Sequence, residues 1–107
     1  MPISMNDRGE AIFPSGPPSV TGATLTTLNS PYTIAIETAL NRKCNGGSVN
    51  NDGLVSMSVQ LLHDIGGSYD DAITLMAGES LDLRGRSISS IKLTRGTDDC
   101  AFRVSAW

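Results

Sequence analysis

Charge is scarce in this chain. Only 18% of its 107 residues are Asp, Glu, Lys or Arg, against about a quarter in an ordinary soluble domain. Ser, Thr, Asn and Gly fill the gap, a mix that suits β-rich domains with neutral polar faces and surfaces that touch other protein. Positive charge is the scarcer sign, 8 residues against 11 acidic. Neither half is basic: three basic residues face four acidic ones up to Gly53, and five face seven from Leu54 onward. A phosphate backbone needs a concentrated Lys/Arg face, so nucleic acid is not an expected partner. No apolar run approaches the roughly 20 residues of a membrane helix. The opening MPISMNDRGE lacks the basic start and apolar core of a secretory signal, which points to synthesis in a cytoplasm. Two cysteines, Cys44 and Cys100, make no disulfide framework. They either pair, if the protein ends up outside a cell, or serve as two small buried hydrophobes.

What the chain does have is length for one domain with a modest core and a strong period-two pattern. Val55, Met57, Val59 and Leu61 alternate with Ser56, Ser58 and Gln60, the signature of a strand with one buried and one polar face. That pattern favours antiparallel pairing. Tyr32, Ile34, Ile36, Thr38 and Leu40 share strand parity, with Glu37–Lys43 also readable as a helical turn; a strand to Ile36 is preferred because Tyr, Thr and Ile dominate there. Ala23–Leu28, Ile73–Met76 and Leu81–Leu83 read as short strands. Ile88 and Ile91 differ in parity, which predicts a bulge or a late strand start near Ser89-Ser90. Phe102, Val104 and Ala106 fall on one side of a final strand, and Arg103, Ser105 and Trp107 on the other. Residues 45–53, NGGSVNNDG, read as a loop ending in a hairpin-type Asp-Gly. Turn residues recur about every ten positions. The predicted fold is all-β: a small antiparallel β-sandwich or β-barrel of six to seven strands over residues 25–107, preceded by an extended arm over 1–24. In that arm Phe13-Pro14-Ser15-Gly16-Pro17-Pro18 cannot join the middle of a sheet, and is expected to be held by its own domain or by a neighbouring subunit.

The search for chemistry yields little. His63 stands alone among histidines, beside Asp64, with no G-x-S-x-G nucleophile motif anywhere; it reads as a surface hydrogen-bonding group. With Ser48 as position 1 of a calcium loop, position 12 is Val59 where a bidentate Glu is required, so the EF-hand pattern fails. A looser cation site from Asn50, Asp52 and another loop stays open beside the simpler reading of a polar hairpin. Asp70-Asp71 and Asp98-Asp99 are adjacent pairs at turns, where Asp serves local hydrogen bonds. Strand neighbours also point to opposite faces, which spoils shared acid–base work. No catalytic residue, cofactor or metal is expected.

Arg103 and Trp107 stand out because outward Arg and Trp are types enriched at binding hot spots. The alternative is that Trp107 folds over the open end of the sandwich and plugs it. The expected protein-interface residues are therefore Ile12, Phe13, Pro17 and Pro18 in the arm, with Arg103 and Trp107 at the other end of the chain.

The stretch AGESLDLRGRSISSIKLTRGTDDCAFRVSAW, with its GES lead, ISSIKL strand, polar turn and closing V-x-A-W, resembles small structural proteins of tailed-bacteriophage particles. The resemblance covers roughly the last 40 residues and implies a compact β-domain on or between capsid subunits. It implies a capsid cement or decoration protein that binds the major capsid protein or other virion subunits, located in the virion, non-enzymatic, and a homo-oligomer with the trimer a common form. A tail or fibre-attachment component is the first alternative. The second is a glycan-binding β-sandwich in which Trp107, Tyr32 or Tyr69 stacks on sugar rings, although aromatics are only 5% of the chain.

Overall fold

The computed structural model describes residues 19–107. The arm residues Ile12, Phe13, Pro17 and Pro18 lie outside the described residues. Within them the chain forms eight strands and one short helix. The strands are β1 (Ser19–Leu25), β2 (Tyr32–Ile34), β3 (Gly47–Asn51), β4 (Met57–Leu62), β5 (Ile73–Leu75), β6 (Ser80–Asp82), β7 (Ser90–Arg95) and β8 (Cys100–Ala106). Helix α1 (Ile36–Leu40) sits between β2 and β3. Two antiparallel four-stranded sheets result, ordered β1-β8-β3-β6 and β2-β7-β4-β5. The all-β architecture expected from alternation is the one observed.

Alternation explains the core. Met57, Val59 and Leu61 of β4, Ile91 and Leu93 of β7, and Phe102, Val104 and Ala106 of β8 are buried, while Ser58, Gln60 and Arg103 between them are not. The two inner faces meet in one cluster, in which the Tyr32 and Phe102 rings lie 5.4 Å apart at 50°. Apolar burial of this kind contributes about 25 cal/mol per Å² removed from water.

Register fixes the two ends of the sandwich. Leu25 pairs with Cys100 and Asn51 with Phe102, and β6 begins beside the end of β3, Ser80 opposite Asn50. Residues 26–31, 52–56, 76–79 and 96–99 therefore all turn at one end. Each of these straps crosses from one sheet to the other. At the opposite end Ser19 and Gly47 flank Ala106, and residues 35–46, 63–72 and 83–89 turn there.

Several expectations are corrected. Eight strands replace the six or seven anticipated. Residues 45–53 are not all loop: Gly47–Asn51 is β3, held between β6 and β8. Its Gly and Asn content conceals the strand, which forms because Val49 and Asn51 are buried and both edges are paired; tertiary context overrides propensity. Strand β1 covers Ser19–Leu25, so residues 19–24 belong to the sheet rather than to the arm, paired along their length with β8. It ends at Leu25, because Asn29 Oδ1 accepts the Thr26 N–H at 2.7 Å and turns the chain before Leu28. The segment after β2 is helical from Ile36, burying Ile36 and Leu40 on one face. It stops at Asn41, whose left-handed φ of 63° is one that Asn tolerates. The late start near Ser89-Ser90 is present: β7 opens at Ser90, while Ile88 forms a separate bridge with Cys44. That bridge lies at the end opposite Cys100, so the two cysteines are buried and free.

Candidate interaction site at the Trp107 end

The end of β8 carries an exposed groove of about 400 Å³, lined by Asn45, Gly46, Gly47, Ser48, Asp82, Arg84 and Trp107. Backbone pairing builds it. The Trp107 carbonyl accepts the N–H groups of Asn45 and Gly46, at 2.9 and 3.1 Å, and the Trp107 N–H donates to Gly46 O. Gly85 N–H donates to Asn45 O at 2.7 Å, bringing the turn after β6 alongside. The indole rests with its pyrrole edge on Gly46, where a Cβ would lie 2.5 Å from Nε1. Trp107 stays 46% exposed. It neither plugs the core nor stands free: one edge is seated on backbone and the rest borders the groove.

The wall opposite the indole is charged. Asp82 accepts the Arg84 N–H at 2.9 Å and the Arg84 guanidinium at 3.1 Å. The Arg84 backbone N–H, with its guanidinium second, holds the Asp82 carboxyl below the usual carboxylate range. Arg86 Nε donates to Asp82 O at 2.8 Å. The groove thus offers an aromatic surface, a fixed carboxylate, a guanidinium, an amide and a hydroxyl.

Arg103 shares the outer face of β8 with Trp107 but not its site. Four residues of strand separate them by about 13 Å. Arg103 points instead to Asp52, where Nε and Nη2 donate to the two carboxylate oxygens, and that pairing lowers the Asp52 pKa. Between the two lies a neutral face. Ser80 Oγ donates to Asn50 Oδ1 and Asn50 Nδ2 to Ser48 Oγ. Arg84 and Asp82, not singled out by the sequence, line the groove with Trp107. No short window of sequence marks them as lining a groove with Trp107, because strand pairing brings the turn after β6 beside the end of β8.

His63 is placed as a hydrogen-bonding group, with a different partner from its sequence neighbour. Its Nε2 lies 2.9 Å from Asp70 and its Nδ1 3.2 Å from the Ser87 carbonyl. Asp64 turns away to Lys43. Ser89 Oγ reaches Glu37 and the His63 carbonyl rather than the ring, so these residues do not form a Ser-His-Asp relay. Asn50 and Asp52 are engaged by Ser80 and Arg103. Among the described residues no three His, Cys, Asp or Glu side chains are grouped to hold a metal ion. Burial pushes both thiol pKa values up, which keeps Cys44 and Cys100 protonated and unreactive. Comparison with protein-family models, curated proteins and solved structures gave no match.

Proposed function

We propose that this chain is a non-enzymatic structural protein of a virus particle, a cement or decoration protein that binds and stabilises an assembled shell of major capsid protein. The observation that carries the reading is a convergence at one end of the sandwich. Trp107, half exposed beside Arg84, lies next to the point where residues 1–18 enter β1, since Ser19 pairs with Ala106. An exposed Trp and an Arg lining one groove are the residue types enriched at binding hot spots. The resemblance of the last 40 or so residues to tailed-bacteriophage structural proteins supplies the setting. In this reading the protein resides in the virion as a homo-oligomer, with a trimer the first form to test by light scattering. A tail or fibre-attachment role uses the same contacts on a different partner.

Deleting residues 1–18 is expected to abolish association with purified shells while far-UV circular dichroism stays β-rich. Full occupancy by the truncated protein would remove the arm from the assignment. Trp107→Ala is expected to weaken shell binding at least tenfold, a loss of about 1.4 kcal/mol. Copy number per capsid subunit separates cement from tail: stoichiometric for the first, a few per particle for the second.

The groove favours one second reading, a saccharide site. Trp107 supplies a stacking surface, Asn45, Asp82 and Arg84 supply planar hydrogen-bonding groups, and Ser48 supplies a hydroxyl. A glycan array with clear binding that Trp107→Ala removes, together with no shell association, would select it.

A further inference from the structure

We propose that the strapped end of the sandwich, opposite Trp107, is a docking surface for a protein partner that presents an apolar depression rimmed by Lys or Arg. Three of the five large apolar side chains exposed among the described residues are there: Leu28 at 96%, Leu54 at 94% and Met76 at 56%. Single exposed apolar residues are ordinary; three at one end, on three different turns, form a pattern that asks for a partner.

Topology orders them. The sheets run β1-β8-β3-β6 and β2-β7-β4-β5, so the straps lie side by side in the order 26–31, 96–99, 52–56, 76–79. Neighbouring strands sit about 4.8 Å apart, which spreads the four straps over about 14 Å. Leu28 stands on the first strap, Leu54 on the third and Met76 on the fourth, with Asp98 and Asp99 on the second. Three of the straps are tied to neighbouring strands. Arg95 N–H donates to Ser30 Oγ at 2.9 Å, Asp52 N–H to Ala101 O at 2.9 Å, and Gly78 N–H to Asn51 O at 3.0 Å. The apolar tips therefore sit on a prearranged frame, which lowers the ordering cost of binding.

Charge identifies the partner. The straps carry Asp52, Glu79, Asp98 and Asp99 and no Lys or Arg. Arg103 and Arg95, reaching from strands, pair with Asp52 and Asp99. Glu79 Oε1 accepts the Met76 N–H, and among the described residues neither Glu79 nor Asp98 is in an ion pair. An acidic rim around apolar tips repels an anionic lipid surface and complements a basic protein rim. This inference rests on the virion reading for the source of the partner, a shell subunit. Together with the Trp107 end it would let one copy contact two neighbours.

The test uses shells purified without this protein. The full chain is expected to bind them with an affinity that falls as salt rises from ~50 to ~300 mM. The triple variant Leu28→Ser/Leu54→Ser/Met76→Ser should lose at least tenfold, with thermal unfolding unchanged because the replaced side chains are largely outside the core. Asp98→Lys should weaken binding several-fold, while Ile65→Ser, at the opposite end, should stay within twofold. Shell binding by the triple variant and by Asp98→Lys at the level of the unmodified chain overturns the inference and leaves the virion reading standing. No binding by the unmodified chain overturns both. Binding to phosphatidylcholine–phosphatidylserine vesicles that the triple variant loses would assign the tips to lipid and overturn the protein partner.

Discussion

Gly46 and Gly47 are neighbours that are glycine for different reasons. Gly47 has φ +122°, and a Cβ on it would lie 2.0 Å from the Ser105 carbonyl oxygen. That is backbone against backbone, with nothing able to give way. Gly46 has an unstrained φ, and its obstruction is the movable indole of Trp107. Gly47→Ala is therefore expected to cost about 3 kcal/mol or more, from strain and disruption of the β3–β8 ladder. Gly46→Ala should cost under about 1 kcal/mol but unseat the indole. Trp107 is the only tryptophan in the chain, so its fluorescence reads the change directly. Urea unfolding followed by that emission checks both, and equal destabilisation by the two variants would refute the distinction. At this scale the outward parity of Trp107 was legible in the sequence. Its seat was not, because Gly46 lies more than sixty positions upstream.

Strand β3 is where element-level reasoning failed and where the structure explains most. Its last residue, Asn51, is 1% exposed with its amide fully engaged. Nδ2 donates to Val55 O at 2.8 Å and to Leu75 O at 2.9 Å. Oδ1 accepts Gly53 N–H at 2.9 Å and the Cys100 thiol at 3.0 Å. One side chain thus ties the strap after β3 to β5 and β8. Read locally, Asn beside Asn and Gly signals a loop; buried with every group paired, it ends a strand. Asn51→Leu leaves the Val55 and Leu75 carbonyls and the Gly53 N–H without this partner. The expected loss is about 3 kcal/mol or more, with faster amide hydrogen exchange in 52–56. A variant as stable as the parent would show that water replaces the amide. By contrast β4, β7 and β8 were legible, because each buries alternate apolar side chains and needs no distant partner to declare its faces.

For the whole molecule, the charge pairs set the response to pH. Asp52, Asp64 and Asp82 have pKa values lowered mainly by hydrogen bonds, from Arg103, from Lys43 and from the Arg84 backbone N–H respectively. A lowered carboxylate contributes stability that is present above its unfolded value of about 3.9 and is lost as pH falls through the folded value. The buried thiols act in the other direction. Their raised pKa values give a contribution present below an unfolded value of about 8.5 and lost as pH rises. Urea midpoints should be level between about pH 5 and 8 and fall on both sides. Asp52→Asn should shrink the acid limb, and an acid limb unchanged in that variant would remove the Arg103 pair from the account.

The sequence by itself determined an all-β fold with antiparallel strands, which strands have a buried side, and the shared parity of Arg103 and Trp107 opposite Phe102, Val104 and Ala106. Those properties follow from side-chain alternation, a local periodicity of two. Only the tertiary structure decided that Gly47–Asn51 is a strand, that Arg84 rather than Arg103 lines a groove with Trp107, and that Leu28, Leu54 and Met76 lie on turns at one end of the sandwich. These depend on strand order and register, which bring together residues tens of positions apart and leave no mark on any short window of sequence.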